Sequence, residues 1–368
     1  MNKLTVIIPN YNGLKFMDMC MSALREQSFS DYSLLIVDNG STDGSVEYIK
    51  ELSMKGLMSA SEPDIKIPVD YILLKNNTGF SGAVNAGISA CDSEYIILLN
   101  NDTKPYKDYI KELVDFMDSH KSEKCFAASP KMSQLYHPEL LDDAGDGYNL
   151  LGWGFQRGVG QNVNTQKFCK EKRIFSACAG ASIYNREMLE KIKFNTSLNF
   201  ELLEAYKDSE HTISCFEYFD DQHFAYLEDI DVSYRANRAG FSIYYCPTSE
   251  ILHVGSGTSG SKYNDFKVKL AARNNIFLIW KNMPFLQLIL NLPFIAVGTF
   301  IKYLFFIKNG FKKAYADGFK EGLANIRNCK KKPAKLSELP KLIYIEYLLI
   351  RDSFDYASDF LMRKLHKD

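Results

Sequence analysis

The P-loop signature and the common cysteine patterns are absent from this 368-residue sequence. Its eight cysteines are scattered, and no two of them form a C-x-x-C pair, which argues against a zinc site and against a compact disulfide framework. We therefore expect free thiols, as in a reducing cytoplasm. The glycine-rich segment 79–87 does not match G-x-G-x-x-G and follows the third predicted strand, not the first, which disfavours a dinucleotide-dependent dehydrogenase.

A net charge of −1 hides an asymmetry along the chain. Residues 284–368 carry 15 Lys/Arg against 8 Asp/Glu, about +7, whereas the remainder carries 29 against 37, about −8. A basic tail of this kind favours contact with anionic lipid, and a solvated basic helix is the alternative. We expect no nucleic-acid partner.

The start of the sequence predicts a cytoplasmic protein. Only the short apolar run LTVII follows Met1-Asn2-Lys3, and it is too short for the apolar part of a signal peptide. With the basic tail, this predicts a cytoplasmic location that extends to peripheral attachment at the inner face of the cell membrane.

Strand and helix patterns alternate over the first hundred residues. Apolar runs predict strands at 4–8, 33–37, 69–74 and 95–99, and helical stretches follow the first three at 14–27, 42–52 and 81–90. Each strand ends in polar loop residues. This order predicts an open, mostly parallel α/β sheet with helices on both faces, in which ligands bind at the carboxyl ends of the strands.

The rest of the chain is less regular. A loop at 152–160 lacks helical periodicity, and we expect it at the surface. Helices are predicted at 228–239, closed by Gly240, and at 265–282. We place a catalytic domain at 1–282 and a helical, basic, membrane-associating region at 283–368.

Residues 283–301 form an uncharged stretch of 19 residues. Two prolines and two amides interrupt it. We expect an interfacial hairpin or an in-plane amphipathic segment, and the alternatives are a buried packing element and a true membrane span.

The residues at the strand ends suit a nucleotide. Tyr11 can stack on a base, Asp38 can accept from a pyrimidine N3–H, and Gly79 lets the backbone approach a phosphate. Each is also an ordinary turn residue. Their recurrence at four successive strand ends favours the functional interpretation.

Two further positions suit a divalent cation. Asp102 follows the strand 95–99 and can hold a hard cation that bridges two phosphates, although the same residues also suit a helix N-cap. A neutral His253 imidazole can complete such a site, although a single histidine is more often structural.

The acidic run Glu228-Asp229-Ile230-Asp231, which Asp220 and Asp221 precede, opens a predicted helix. Carboxylates are favoured in a first helical turn by the helix dipole, so capping is one explanation. The apolar segment 224–227 before the run favours the other, that Glu228 and Asp229 lie on the floor of a cleft.

Taken in order, these segments resemble the inverting family 2 glycosyltransferases of the GT-A fold, in particular the rhamnosyltransferase-like branch. The resemblance covers residues 4 to 282. The matching segments are VIIPNYNG, LLIVDNGSTDGS, NNTGFSGAVNAG, IILLNNDT, AGASIYNREML, YLEDIDVSYRANRAGF, LHVGSGTS and AARNNIFLIWKN.

The resemblance implies roles for the matching residues. Asp229 is the expected catalytic base, with Glu228 beside it. Asn101 and Asp102 occupy the Asp-x-Asp position, and Asp102 and His253 are the expected ligands of Mg²⁺ or Mn²⁺. The other implied positions are Pro9, Tyr11 and Asp38 around the base and ribose, Asn77 and Gly79 near the base and diphosphate, and Gly180 and Ala181 along the sugar and acceptor cleft.

Two departures from the family pattern matter. Asn100-Asn101-Asp102 supplies one carboxylate where the fullest motif has two or three, which weakens the expectation of a metal. The stretch 195–217 is longer than usual and leaves the acceptor open.

The implied function is transfer of a sugar from a dTDP- or UDP-sugar to a glycan or lipid-linked acceptor. Two alternatives stay open. A sugar-phosphate nucleotidyltransferase would need a glycine-rich phosphate loop with a basic residue after the first strand, where this chain has Pro9-Asn10-Tyr11-Asn12. A nucleotide-sugar-binding protein without activity would not need Asp102 and Asp229.

Overall fold

The computed structural model describes residues 3–62, 64–205, 212–255 and 263–365. The strands are β1 (Leu4–Asn10), β2 (Tyr32–Asn39), β3 (Leu57–Met58), β4 (Lys66–Ile67), β5 (Val69–Leu74), β6 (Tyr95–Leu98), β7 (Thr103–Pro105), β8 (Cys125–Gln134), β9 (His137–Asp143), β10 (Asp146–Tyr148), β11 (Gly154–Gln156), β12 (Lys172–Arg173), β13 (Ile183–Asn185), β14 (Phe194–Ala205), β15 (Thr212–Glu217) and β16 (Ser242–His253). The helices are α1 (Leu14–Arg25), α2 (Ser45–Lys55), α3 (Gly79–Ser89), α4 (Tyr109–Ser119), α5 (Arg186–Ile192), α6 (Glu228–Ala239), α7 (Asp265–Asn282), α8 (Phe285–Lys308), α9 (Lys312–Asn325) and α10 (Leu339–Leu365).

A twelve-stranded mixed sheet organises the chain, in the order β12-β16-β8-β13-β6-β1-β2-β5-β14-β15, with β7 on β16 and β9 on β8. The four predicted strands form its parallel centre, β6-β1-β2-β5. Antiparallel strands flank this centre, because β13 pairs with β6 and β14 with β5. The predicted α/β class is confirmed, and the flanking strands make the sheet mixed.

Helices cover both faces of the sheet, as predicted. Side chains alternate along β1, so that Val6 and Ile8 join the core under α1, α2 and α4, whereas Ile7 joins the core under α3, α5 and α6. Strands buried on both faces are nearly all apolar, which explains the apolar runs seen in the sequence.

The C-terminal helices pack on the sheet domain through part of their surface. Ile295 of α8 and Leu349 of α10 share an apolar cluster with Tyr234 of α6. The chain does not turn at Pro293, which lies inside α8, so the expected hairpin is wrong. Among the described residues, one helix, α8, is long and apolar enough to cross a membrane. Only 17% of its apolar 18-residue stretch is buried inside the protein.

The loop 152–160 is not the surface loop that its composition predicts. Trp153 is buried, and its Nε1–H donates to the carbonyl of Gly298 in α8 at 3.1 Å. The N–H of Gly158 donates to the carboxylate of Asp359 in α10 at 3.1 Å. The two C-terminal helices therefore cover a segment that would otherwise be exposed.

Candidate active site

The ends of β1 and β2 are joined by a buried hydrogen-bond network. Asn10 donates from Nδ2 to Asp38 Oδ2 at 2.7 Å, and the N–H of Ser41 donates to Asp38 Oδ1 at 2.9 Å. Asp38 is fully buried, whereas the Tyr11 side chain beside it is 40% exposed. Pro9 lies in β1 just before this network. An exposed aromatic ring next to a fixed carboxylate suits the stacking and hydrogen bonding that a nucleotide base requires.

A second network joins β2 to the start of α3. Asn39 donates from Nδ2 to Asn77 Oδ1 at 3.0 Å and to the Gly79 carbonyl at 2.9 Å, and its Oδ1 accepts from the Thr78 N–H at 2.8 Å. The role of Asn39 in holding this turn together could not be predicted from the sequence. Asn77 is thereby fixed, and its Oδ1 also accepts from the Gly79 N–H at 2.9 Å.

Gly79 has a structural reason to be glycine. Its φ is +77°, and a Cβ added there would lie 2.4 Å from the carbonyl oxygen of Phe224. Any larger residue would push apart α3 and the segment that precedes α6. Close packing therefore requires this glycine whether or not a phosphate lies nearby.

The pairing of β7 with β16 brings His253 to Asp102. Thr103 is the register partner of His253, and the N–H of Val254 donates to the Asp102 carbonyl at 3.0 Å. As a result, His253 Nε2 lies 3.4 Å from Asp102 Oδ1, which accepts no hydrogen bond in the described structure. Metal–ligand bonds of about 2.0–2.2 Å allow one ion to bind two atoms at this separation. Asn101 lies beside this pair and donates to Asn10 Oδ1 at 2.5 Å.

Asp142 contacts the other side of the His253 ring, a position that the sequence did not single out. Its Oδ2 lies 2.7 Å from His253 Nδ1. Burial lowers the pKa of His253, but the carboxylates of Asp102 and Asp142 outweigh burial and raise the pKa to about 10. In the metal-free protein the imidazole is therefore protonated between two carboxylates, not neutral as expected from the sequence, and a metal that binds Nε2 must displace the proton that this nitrogen shares with Asp102.

The segment before α6 adopts an unusual backbone conformation. Phe224, Tyr226 and Leu227 have φ values of +62°, +73° and +68°. Such conformations cost of order 1–3 kcal/mol each and persist only where the surroundings impose them. They turn the chain sharply, so that α6 begins at Glu228 and Asp229 lies in its first turn.

Asn274 of α7 holds this strained segment in place. Its buried Nδ2 group lies 2.9 Å from the carbonyl of His223 and 2.8 Å from those of Ala225 and Tyr226. Asn274 belongs to the AARNN segment, which the sequence matched to the family without indicating a role. It positions the loop that presents Asp229.

Among the residues that the structure describes, no Lys, Arg or His forms an ion pair with Glu228 or Asp229. Burial, and then the charge of Asp229, raise the pKa of Glu228 to about 8. Burial also raises the pKa of Asp229, although the N–H groups of Ile230 and Ala179 oppose this by stabilising the carboxylate. Asp229 remains partly exposed. A carboxylate with a raised pKa and an accessible face can accept a proton from an incoming hydroxyl.

Two other acids of this region, Asp231 and Asp220, have structural partners. Asp231 pairs with Arg235 at 3.1 Å and with Lys281 at 2.8 Å, and Lys281 also contacts Asp220. This buried network ties α6 to α7. It distinguishes Glu228 and Asp229 from Asp231 and Asp220, which the sequence pattern alone could not do.

Gly180 and Ala181 differ in what they can offer a ligand. The Gly180 carbonyl accepts from the Asn100 N–H at 2.8 Å, next to Asn101 and Asp102. Ala181 is fully buried in the apolar core, and its expected place along the sugar and acceptor cleft stays a prediction. Residues 256–259 of the LHVGSGTS segment, and 206–211 of the long stretch 195–217, lie outside the described residues.

A row of acidic side chains, Asp102, Asp142, Asp143 and Asp229, connects the cation candidates to the base candidate. We call this row the acidic wall. His253 contacts both Asp102 and Asp142, and the charges of Asp142 and Asp229 both act on Asp143. Asp229 also accepts from the N–H of Ala179, next to Gly180. The cation candidates and the base candidate therefore belong to one neighbourhood.

A match to a family profile shows which protein family this chain belongs to. The profile described as "Glycosyl transferase family 2" matches residues 5–193, which is 189 of the 368 residues. This chain belongs to glycosyl transferase family 2.

Curated relatives of this family 2 glycosyltransferase match parts of it. It is 23% identical over 202 residues to glycosyltransferase GlyA of Streptococcus pneumoniae serotype 4, which covers 53% of this chain and 26% of GlyA. It is 27% identical over 150 residues to the putative teichuronic acid biosynthesis glycosyltransferase TuaG of Bacillus subtilis, which covers 38% of this chain and 56% of TuaG. The chain thus spans about a quarter to just over half of these two relatives.

Solved structures share the fold. The structure of GalNAc-T7 with UDP, GalNAc and Mn²⁺ superimposes with a TM-score of 0.54 at 13% identity and covers 90% of this chain and 55% of that one. The likeness confirms the predicted GT-A-type fold, and the family membership places the chain among the glycosyltransferases.

Proposed function

We propose that this chain is an inverting glycosyltransferase that moves a sugar from a nucleoside-diphosphate sugar to a hydroxyl of a cell-surface glycan or lipid-linked acceptor. The observation that carries the proposal is the acidic wall, which joins the cation candidates Asp102 and His253 to the accessible carboxylate of Asp229. One direct displacement with one base inverts the anomeric configuration. Asp229, which forms no ion pair within the described part of the chain, offers a carboxylate for that role.

Asp229 is the proposed general base. The acceptor hydroxyl must lose its proton as its oxygen attacks the anomeric carbon, and a positioned carboxylate is typically worth about 10²–10⁴ in rate. Asp229 is partly exposed, and the turn that presents it is held by Asn274. Glu228 and Gly180 are proposed to border the sugar and acceptor side.

The donor is proposed to bind at the carboxyl ends of β1, β2, β5 and β6. Tyr11 stacks on the base, and Asp38 accepts from it. A dTDP- or UDP-sugar fits this arrangement, because a pyrimidine presents an N3–H to a fixed carboxylate. The remaining proposed donor-binding residues are Pro9, Asn77, Gly79, Asn101 and Asp102.

Asp102 and His253 are the proposed ligands of Mg²⁺ or Mn²⁺. The unpartnered Oδ1 of Asp102, 3.4 Å from His253 Nε2, fits a shared ion. When bound, such an ion neutralises the charge of the leaving nucleoside diphosphate. The similarly folded GalNAc-T7 structure contains UDP together with Mn²⁺, which supports testing this pair here.

The sugar and the acceptor are proposed from the family resemblance and from the names of relatives. The rhamnosyltransferase-like segments favour a rhamnosyl or hexosyl donor. The name of TuaG refers to teichuronic acid biosynthesis, and another relative, teichoic acid poly(glycerol phosphate) polymerase of Staphylococcus epidermidis, is also named for a polymer of repeating units. These names favour a polysaccharide acceptor.

We propose that residues 1–282 catalyse the reaction at a membrane surface and that residues 283–368 provide the attachment, which keeps the enzyme cytoplasmic and peripheral. One face of α8 packs on the protein, where Glu346 of α10 accepts from Gln287 and Asn291. The other face exposes large apolar side chains such as Phe285, Leu290 and Phe300. The excess of basic residues after residue 284 suits anionic lipid headgroups.

A donor screen tests the proposal. Full-length protein is incubated with UDP-, dTDP- and GDP-sugars, with and without Mn²⁺, and release of nucleoside diphosphate is measured. We expect release from one pyrimidine nucleotide sugar, suppression by a chelator, and release that is about 100-fold or more slower with Asp229→Asn. Release that Asp229→Asn leaves unchanged would remove Asp229 from the role, and no release or binding of any nucleotide sugar would refute the function. NMR of the first transferred product reports inversion.

A further inference from the structure

A second group of potential metal ligands lies beside the candidate active site. One ligand atom each from Asp143, Asp146 and Cys178 lies within 4.8 Å of the other two. None of these residues belongs to the pair Asp102 and His253. Their proximity comes from the fold, because they lie in β9, in β10 and in the segment before β13.

Two local features create this group. Gly145 has a φ of +88° and turns the chain between the two aspartates, and a Cβ there would lie 2.6 Å from Ile174 Cδ1. Asp146 then forms a two-way backbone bridge with Ser176, with N···O distances of 3.0 and 3.1 Å. This bridge brings Asp146 beside the segment that contains Cys178.

Within this group, the Asp143 carboxylate lacks a hydrogen-bond partner among the described residues. Its side chain is fully buried, and neither carboxylate oxygen has a hydrogen-bond partner in the described structure. The buried Arg157 donates to the Ala144 carbonyl and forms no close ion pair with a carboxylate of the described residues, so its charge stabilises the Asp143 carboxylate only from a distance. A buried carboxylate without hydrogen bonds is unfavourable unless a cation or a proton compensates it.

We propose that Asp143, Asp146 and Cys178 form a binding site for a thiophilic divalent cation of the Zn²⁺ class, separate from the Mg²⁺ or Mn²⁺ pair. A thiolate ligand favours Zn²⁺ or Co²⁺ over Mg²⁺, which prefers oxygen ligands alone. Zinc binds carboxylate oxygen at about 2.0–2.2 Å and thiolate at about 2.3 Å, so the three atoms need only small movements to share one ion. On binding, Cys178 loses its thiol proton to solvent, and a water completes the coordination.

The test uses Co²⁺ as a spectroscopic probe of the full-length protein. A thiolate bound to Co²⁺ produces a sulfur-to-cobalt charge-transfer absorption, which oxygen and imidazole ligands do not produce. We expect this absorption in wild type, its displacement by Zn²⁺, its loss in Cys178→Ser, and at least a tenfold weaker affinity in Asp143→Asn. Cys169→Ser, which changes an exposed cysteine, is the matched control.

Two further arms keep the site distinct and the proposal falsifiable. Asp102→Ala should retain the charge-transfer absorption, because the proposed site does not use Asp102. In wild type, Zn²⁺ should protect Cys178 from alkylation more than it protects Cys169, which requires no variant to fold. Absence of the absorption in wild type, its persistence in Cys178→Ser, or equal alkylation with and without Zn²⁺ overturns the proposal. None of these outcomes depends on the catalytic proposal.

Discussion

Asp142 Oδ2 lies 2.7 Å from His253 Nδ1, and this contact turns Nε2 of the same ring toward Asp102. A carboxylate that receives the second ring N–H of a histidine fixes its tautomer and its orientation as a ligand. Asp142 is thus a positioning residue for the proposed metal pair.

Removal of this contact should weaken metal binding more than it weakens folding. We expect Asp142→Ala to lower Mn²⁺ affinity by about 10–100-fold, the usual effect of losing such a partner, and Asp142→Asn to have a smaller effect because its amide can still accept from the ring. Isothermal titration with Mn²⁺ measures the change. Asp115→Ala, at an exposed pair with Lys111, is the control. Equal affinities for Asp142→Ala and wild type would contradict the assigned role.

Replacement of Asp229 by Asn should separate catalysis from donor binding. We expect turnover to fall by about 100-fold or more, because general-base assistance is typically worth about 10²–10⁴. Donor affinity should change little, since the proposed donor residues lie at the strand ends. Steady-state kinetics and nucleotide-sugar binding measure the two effects, and Glu26→Gln on the exposed end of α1 is the control. A variant that turns over like wild type would exclude Asp229 as the base.

The sequence predicted the parallel centre of the sheet and the carboxylates at its edge, because buried strands and strand-end loops leave local patterns. It could not predict Asn39, Asp142 or Asn274, whose roles come from contacts between distant segments. Asn274 looks like any polar helix residue until the carbonyls that it contacts are known. Likewise, capping of the helix explains Asp231 and Asp229 equally well in the sequence, and the ion pairs of Asp231 with Lys281 and Arg235 separate them in the structure.

The pH dependence of stability should reveal Glu228. Its pKa is raised from 4.5 to about 8 in the folded protein, so between these values the folded state holds a proton that the unfolded chain releases. The free energy of unfolding therefore falls as pH rises through this range, by at most about 1.4 kcal/mol per pH unit for this group. Glu228→Gln removes the contribution. Melting temperatures in chelator should decline more steeply with pH for wild type than for the variant, and parallel curves would contradict the assignment.

Loss of Asn274 should release the strained turn before α6. Asn274→Ala leaves three carbonyls without this donor, and we expect a loss of about 2–4 kcal/mol in the free energy of unfolding. Turnover should fall as well, because Asp229 is no longer held in position. Urea unfolding and steady-state kinetics measure both, with Asn325→Ala at the end of α9 as the control. If turnover per folded molecule stays at the wild-type value, Asn274 supports only the fold.

The exposed face of α8 should govern attachment to lipid. Leu286 and Leu290 are 74% and 60% exposed, and burying one such side chain in an apolar phase is worth about 1.5–3 kcal/mol. We therefore expect Leu290→Asp to weaken binding to anionic vesicles by at least tenfold, while Met54→Asp, at an equally exposed apolar residue of α2, has no effect. Flotation with vesicles of anionic and of zwitterionic lipid measures binding. Added salt should weaken binding to the anionic vesicles, since the basic residues after residue 284 contribute through charge. If Leu290→Asp and Met54→Asp both float with the vesicles like wild type, α8 does not contact the bilayer. Its exposed apolar face would then be a binding surface for a protein partner.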